Sequence, residues 1–238
     1  MASTVTSFKD YGVEKRRSQI CHYADLNDKV VLDVGCGNGI YTLTIATYAK
    51  QVVGIDINKK ALYQALTNQV GCNTLKVHFV LMSAEALGFL KDYFDVVVCI
   101  ETLEHIQKQQ DALRRVHTLL KDGGKLVLYV PNKFYPFETH GIRISNFAIN
   151  HPLIPLFSFA PNFIRRRFER ARIYTSKEIT TLLINSVFMI NALDYMLPPL
   201  DRLKNNVLKK TFRKVFSLLE RTKLKVFAMS ILVVATKF

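Results

Sequence analysis

No C-x-x-C pair occurs among the four cysteines, Cys21, Cys36, Cys72 and Cys99. That scatter argues against a zinc site or a disulfide framework and predicts a reducing, cytoplasmic setting. Residues 1–10 hold no apolar signal-peptide core. No uninterrupted apolar run is long enough to span a bilayer, and residues 226–235 read as a core strand instead. Internal repeats and low-complexity segments are missing. Acidic residues are scarce in the second half. Residues 134–238 carry 17 Lys/Arg against 6 Asp/Glu, whereas residues 1–133 carry 16 against 13. The net charge of +14 is therefore concentrated in one half of the chain. Such a field favours an anionic partner, whether phospholipid, nucleic acid or an acidic substrate.

What is present centres on the run Val30-Val31-Leu32-Asp33-Val34-Gly35-Cys36-Gly37-Asn38-Gly39. A short apolar run of this kind reads as a buried parallel strand. Glycine follows at every second position, which permits positive φ and close approach of a ligand to the backbone. A helical pattern begins immediately afterwards and points its free N–H groups at the loop. A second strand, residues 51–55, leads into Asp56, 21 residues after Gly35. An acid about 20 residues beyond a glycine loop is placed to accept hydrogen bonds from a ribose diol. The spacing departs from the dinucleotide pattern G-x-G-x-x-G, because the last glycine comes one residue early, at Gly39, and Ile40 takes its place.

Asp33, Gly35, Gly37 and Gly39, together with Asp56, resemble the class I S-adenosylmethionine-dependent methyltransferases of type 11. The resemblance implies an α/β fold with a seven-stranded, doubly wound, Rossmann-like sheet whose last two strands form an antiparallel edge pair. It implies one domain over residues 1–238, with a basic insertion after strand five, residues 134–174, acting as lid or substrate-binding segment. It also implies S-adenosyl-L-methionine as cofactor, its methionine end on the glycine loop and its ribose on Asp56. The implied cofactor set is Asp33, Gly35, Gly37, Gly39, Asp56, Ile57, Ser83, Ala84, Glu85 and Ile100. In the family an Asp-Ala-Glu run commonly holds the adenine amino group. Here Ser83 replaces the Asp and is a weaker acceptor, so backbone groups or Glu85 are alternatives.

Apolar periodicity predicts helices near 13–24, 39–49, 58–70 and 108–120, and further strands at 75–80, 94–100 and 125–130. Lys121, Asp122, Gly123 and Gly124 should stop the helix and turn the chain into strand five. From Pro131 the β-α rhythm lapses for roughly forty residues, a length that is usually functional. It resumes at Thr175 and Glu178, a capping-box pair opening a helix to about residue 185. A strand near 188–195, a helix over 202–223 and a last strand over 226–236 complete the chain. Leu203, Val207, Leu208, Phe212, Val215, Phe216 and Leu219 form an apolar stripe on that last helix.

Glu101-Thr102-Leu103-Glu104-His105 follows strand four, at the end of the sheet where ligands of open α/β folds bind. It resembles the E-x-x-E-H run of the ubiquinone-pathway O-methyltransferases, which methylate polyprenylated catechols. It also resembles that of the small-RNA 3′-terminal 2′-O-methyltransferases. In both families the run holds a divalent cation. Positions i, i+3 and i+4 share one face of a helical turn, and two carboxylates with an imidazole suit Mg2+ or Mn2+. Glu101, Glu104 and His105 are thus candidate metal ligands. Without a metal, His105 is the candidate general base and Glu101 its companion; alternatively the acids complement a helix dipole and His105 is structural. His140, after Glu138 and Thr139, is a further candidate for the same cleft.

Two functions follow from the resemblance. The first is O-methylation of a small or lipid-linked, quinone-like hydroxyl. The second is 2′-O-methylation of RNA along the basic C-terminal half. Nucleic acid is disfavoured, because there is no Asn/Asp-Pro-Pro-Tyr run and no recognisable RNA-binding module. A non-enzymatic scaffold would leave the glycine loop and Asp56 unexplained. The apolar segment 152–164 precedes Arg165, Arg166, Arg167, Arg170 and Arg172. With the basic helix over 202–223 it fits peripheral contact with an anionic membrane. The other reading is a lid over the cofactor, with the helix stripe facing the core.

Overall fold

Val- and Ile-rich runs buried on both faces become parallel strands when helices cover each side. In this chain four such runs do so, and a fifth, half-exposed, joins them at the sheet edge. The structure of the protein, a computed structural model, describes residues 8, 10–137, 142–144, 147–149, 157–168, 170–201, 205–220 and 222–238. Helix α1 (Tyr11–Tyr23) precedes β1 (Val30–Val34), α2 (Ile40–Ala46), β2 (Gln51–Asp56), α3 (Lys59–Cys72), β3 (Val77–Leu81) and β4 (Phe94–Ile100). Then come α4 (Gln109–Leu119), β5 (Leu120–Pro131), α5 (Asn162–Phe168), α6 (Ser176–Ile184), β6 (Phe188–Met196), α7 (Asn206–Leu219) and β7 (Ser230–Lys237). A two-stranded hairpin, Ile142–Ile144 with Phe147–Ile149, stands apart from the main sheet.

The seven strands form one sheet in the order β3-β2-β1-β4-β5-β7-β6. β1 to β5 pair in parallel, and β7 runs antiparallel between β5 and β6. The order reverses between β1 and β4, the position at which ligands of open α/β sheets bind. One face of the sheet, with Leu32, Val53, Val97 and Leu128, packs on α4 and α6 through Leu113, Val116, Ile179 and Leu183. The other face, with Val31, Val52, Val98 and Tyr129, packs on α1 and α2 through Ile20, Leu43 and Ile45.

Local chemistry sets several boundaries. The Asn58 side chain accepts from the Lys60 and Ala61 N–H groups and starts α3. The expected capping box is present: the Glu178 N–H donates to Thr175 Oγ1, and the Thr175 N–H donates to Glu178 Oε2. Helix α1 is capped from a distance. The Asp201 carboxylate accepts from the Tyr11 and Gly12 N–H groups at 3.1 and 2.9 Å, while Asp10 makes no side-chain cap. The turn expected at residues 121–124 lies within β5, where the register on β4 jumps from Phe94–Leu120 to Val96–Lys125. Helix α7 is shorter than expected, and the last strand starts at Ser230 after a 3-10 turn, Lys223–Phe227.

Candidate functional site

The loop from β1 to α2 has three glycines in the left-handed region, Gly35 at φ +78°, Gly37 at +53° and Gly39 at +77°. Side chains rarely adopt such angles, yet the three positions differ in what surrounds them. A Cβ on Gly35 would come within 2.1 Å of Thr102 Oγ1, so the loop presses on the segment after β4. A Cβ on Gly39 would meet Phe79 at 2.6 Å and Ala65 at 2.9 Å. Glycine there lets β3 and α3 close on the start of α2. A Cβ on Gly37 would meet nothing within 4 Å; on that side the backbone is open.

The Gly37 N–H donates to Asp56 Oδ2 at 2.8 Å, and the Asn58 N–H donates to Oδ1 at 2.7 Å. These two bonds fix the carboxylate at the end of β2 and leave further lone pairs on each oxygen. Ile57, next in the chain, is 74% exposed. Asp33 sits lower. It is buried, and the Thr42 hydroxyl donates to its Oδ2 at 2.6 Å, tying β1 to α2. Burial pushes the Asp33 carboxyl up to about 6; the Thr42 hydrogen bond opposes that shift and the nearby Asp56 charge adds to it. Burial likewise raises the Cys36 and Cys99 thiols, helped by Asp33 at the first and by Glu104 at the second, so both stay protonated.

The segment after β3 is anchored. Glu85 Oε1 accepts from the Gln107 and Lys108 N–H groups at 2.9 and 3.2 Å, at the start of α4. Ser83 Oγ accepts from the Glu85 N–H at 3.1 Å. Glu85 therefore braces its own loop against α4, and Ala84 lies half-buried between the two. Ile100 is buried at the end of β4.

Glu101 begins the stretch expected to form a ligand-bearing helical turn. It lies in the left-handed region, at φ +50°, and only Leu103–His105 form a 3-10 turn. The single-face geometry of an α-helix is therefore lost. Glu101 Oε1 accepts from Arg16 Nη2 at 3.0 Å and from the Ser230 hydroxyl at 2.5 Å. The Arg16 guanidinium also donates to the Tyr41 hydroxyl at 2.9 Å and lies over the Tyr41 and Tyr129 rings. Burial would lower the Arg16 pKa, but Tyr41 and Glu101 outweigh it and hold the group charged. The Glu104 side chain is fully buried, and that of His105 is 46% exposed with Nε2 3.9 Å from Glu104 Oε1. Among the described residues no three His, Cys, Asp or Glu side chains gather as a metal-holding group. The expected ligand set Glu101, Glu104 and His105 is therefore not brought together: Glu101 pairs with Arg16, and the described residues do not fit Mg2+ there.

Arg16, Tyr41, Tyr129 and Ser230 were not foreseen. They come from α1, α2, β5 and β7, and no local spacing connects them. Glu138, Thr139, His140 and residues 151–156 lie outside the described residues. Within the described part of 134–174, Phe159 and Phe163 are exposed while Arg165 is buried.

A seven-stranded sheet in this order, with a glycine loop and an acid flanking the crevice at its reversal, defines the class I methyltransferase fold. Residues 32–128 match the model of a methyltransferase domain family. The ubiquinone biosynthesis O-methyltransferase of Albidiferax ferrireducens is 38% identical over 110 residues, 46% of this chain and 44% of that protein. The chain thus spans about half the length of the curated relatives it matches. An S-adenosylmethionine-dependent methyltransferase structure from Mesorhizobium loti superposes with a TM-score of 0.66 at 18% identity, over 97% of this chain and 100% of that one. The [4+2]-cyclase SpnF superposes equally well, at 0.66 and 16% identity over 98% of this chain and 85% of that one. At such identities the likeness shows the fold, and the chemistry must be argued from the site.

Proposed function

We propose that the protein is an S-adenosylmethionine-dependent methyltransferase acting on the hydroxyl of a small or lipid-linked, quinone-like acceptor. The observation that carries this reading is the open backbone at Gly37 beside the fixed Asp56 carboxylate. The cofactor, when bound, supplies an electrophilic methyl group on a sulfonium. Gly35 and Gly37 would border its methionine end, with Asp33 beneath them. Asp56 would accept from the ribose hydroxyls, and Ile57 would offer an apolar surface to the base. Ser83, Ala84 and Ile100 would border the adenine, while Glu85 and Gly39 act by bracing the loops around it. His105, half-exposed and beside Glu104, would take the acceptor's proton. Glu101 and Arg16 position the segment that carries it. Rate enhancement then rests chiefly on proximity.

The Albidiferax relative's name supports a quinone-type acceptor. These relatives favour a small-molecule acceptor over RNA. Among the described residues no helix is long and apolar enough to cross a membrane. Calorimetric titration with S-adenosylhomocysteine tests the cofactor site: wild type should bind at micromolar levels and Asp56→Ala should not. Lack of binding by wild type would reject the proposal. Lipid extracts from overexpressing cells should contain a product one methylene heavier than its precursor, and its presence only in the aqueous fraction would reject the lipid-linked acceptor.

A further inference from the structure

Helix α7 turns Lys209, Arg213, Phe216 and Leu219 inward, half-buried, and leaves most of its apolar half in solvent. Successive residues of an α-helix turn by about 100°, so Val207, Leu208, Phe212, Val215 and Leu218 share one half of the circumference and Lys209, Lys210, Arg213 and Lys214 the other. An amphipathic helix ordinarily turns its apolar half to the core. Here the fastening runs through the cations. Arg213 donates to Asp201 Oδ1 at 2.6 Å and to the Pro199 carbonyl at 3.2 Å, and Lys209 Nζ donates to the Asp201 carbonyl at 3.3 Å. The Arg213 guanidinium also covers the Tyr11 ring at 4.2 Å. Val207 is 75% and Leu218 59% exposed, and Leu208, Phe212 and Val215 are exposed as well. Of the stripe, Val207, Leu208, Phe212 and Val215 are exposed, Phe216 and Leu219 are half-buried, and Leu203 lies outside the described residues; the alternative in which the whole stripe faces the core does not hold.

We infer that α7 is a membrane-docking helix whose outward apolar half enters the interface of an anionic lipid bilayer. Charge complementarity selects that occupant. Residues 206–219 contain no Asp or Glu, and Lys210 and Lys214 stand exposed at the border of the apolar half, where anionic headgroups would meet them. Leu224 and Phe227, exposed on the following 3-10 turn, add to the apolar area, with Lys223 exposed beside them. The inference rests on the lipid-linked acceptor only for its purpose, since docking here would bring the crevice to a bilayer-borne substrate.

Flotation of the full chain with phosphatidylcholine vesicles, with and without phosphatidylglycerol, provides the test. Wild type should float only with the anionic vesicles, and less in high salt. Val215→Asp with Leu218→Asp, and separately Lys210→Glu with Lys214→Glu, should each weaken binding about tenfold or more. All four side chains are exposed, so far-UV circular dichroism and S-adenosylhomocysteine binding should be unchanged. Asp56→Ala should still float, which separates failure of this inference from failure of the cofactor reading. Equal flotation with neutral vesicles, variants that float like wild type, or a solution dimer dissociated by Val215→Asp would each overturn it.

Discussion

Single residues in the β1–α2 loop divide between building the crevice and leaving it open. Gly35→Ala forces a methyl group into Thr102 at a backbone angle that side chains avoid, and should cost about 2 kcal/mol or more of stability. Gly37→Ala meets no neighbour, so its stability cost should stay near 1 kcal/mol, while S-adenosylhomocysteine binding should fall sharply. Urea melts and calorimetry on the pair measure the two effects separately. Asp33 has a pH signature. Its carboxyl is raised to about 6 in the folded chain from 3.8, so the native state binds that proton more tightly than the unfolded chain does. Stability from this group therefore rises as pH falls from above 6 towards 4, and it is a cost at pH 7. Asp33→Asn should stabilise the protein by on the order of 2 kcal/mol at pH 7 and by almost nothing near pH 4. An equal gain at both pH values would show that charge is not the cause.

At the scale of elements, α1 reaches across the sheet to the site through Arg16. Breaking a mostly buried ion pair leaves its partner uncompensated, so Arg16→Ala should destabilise the fold by about 3 kcal/mol. Combining it with Glu101→Gln should recover part of that loss, read as a coupling energy in a double-mutant cycle. Because Arg16 already satisfies Glu101, turnover should be unchanged by a chelator; loss of activity in EDTA that Mg2+ restores would contradict the geometry described here. The elements that the sequence made legible are those set by local rules. Apolar runs marked the strands, Thr175 and Glu178 marked the start of α6, and glycines marked the β1–α2 loop. What stayed hidden depends on contacts distant in the chain. The i, i+3, i+4 spacing of Glu101, Glu104 and His105 presumed a helix, and a residue at positive φ broke the phase. The periodicity of α7 gave its two sides correctly, but its seating on Asp201, the same residue that caps α1, has no signal in the local sequence.

The molecule as a whole is closed by its last strand. β7 lies inside the sheet, between β5 and β6, with Ile231, Leu232, Val233 and Val234 buried. Lys237, also buried, donates to the Leu120 carbonyl at 2.7 Å and pairs with Asp92. Removing β7 would strip β5 of a seven-residue antiparallel partner and leave β6 with no neighbour in the sheet. A chain ending at residue 229 should therefore show no cooperative thermal transition and should aggregate through the bared edge of β5. The excursion between β6 and β7 differs in kind. Its ends are held together by the pairing of Met196 with Ser230, and no residue described in α7 is buried. Replacing residues 203–219 with a Gly-Ser linker keeps Asp201 on α1 and should leave both the melting transition and S-adenosylhomocysteine affinity close to wild type. The same variant should no longer float with anionic vesicles. Differential scanning calorimetry of the two deletions decides the matter. A linker variant that unfolds like the truncated chain would make α7 part of the core, and its outward apolar half would then need another explanation.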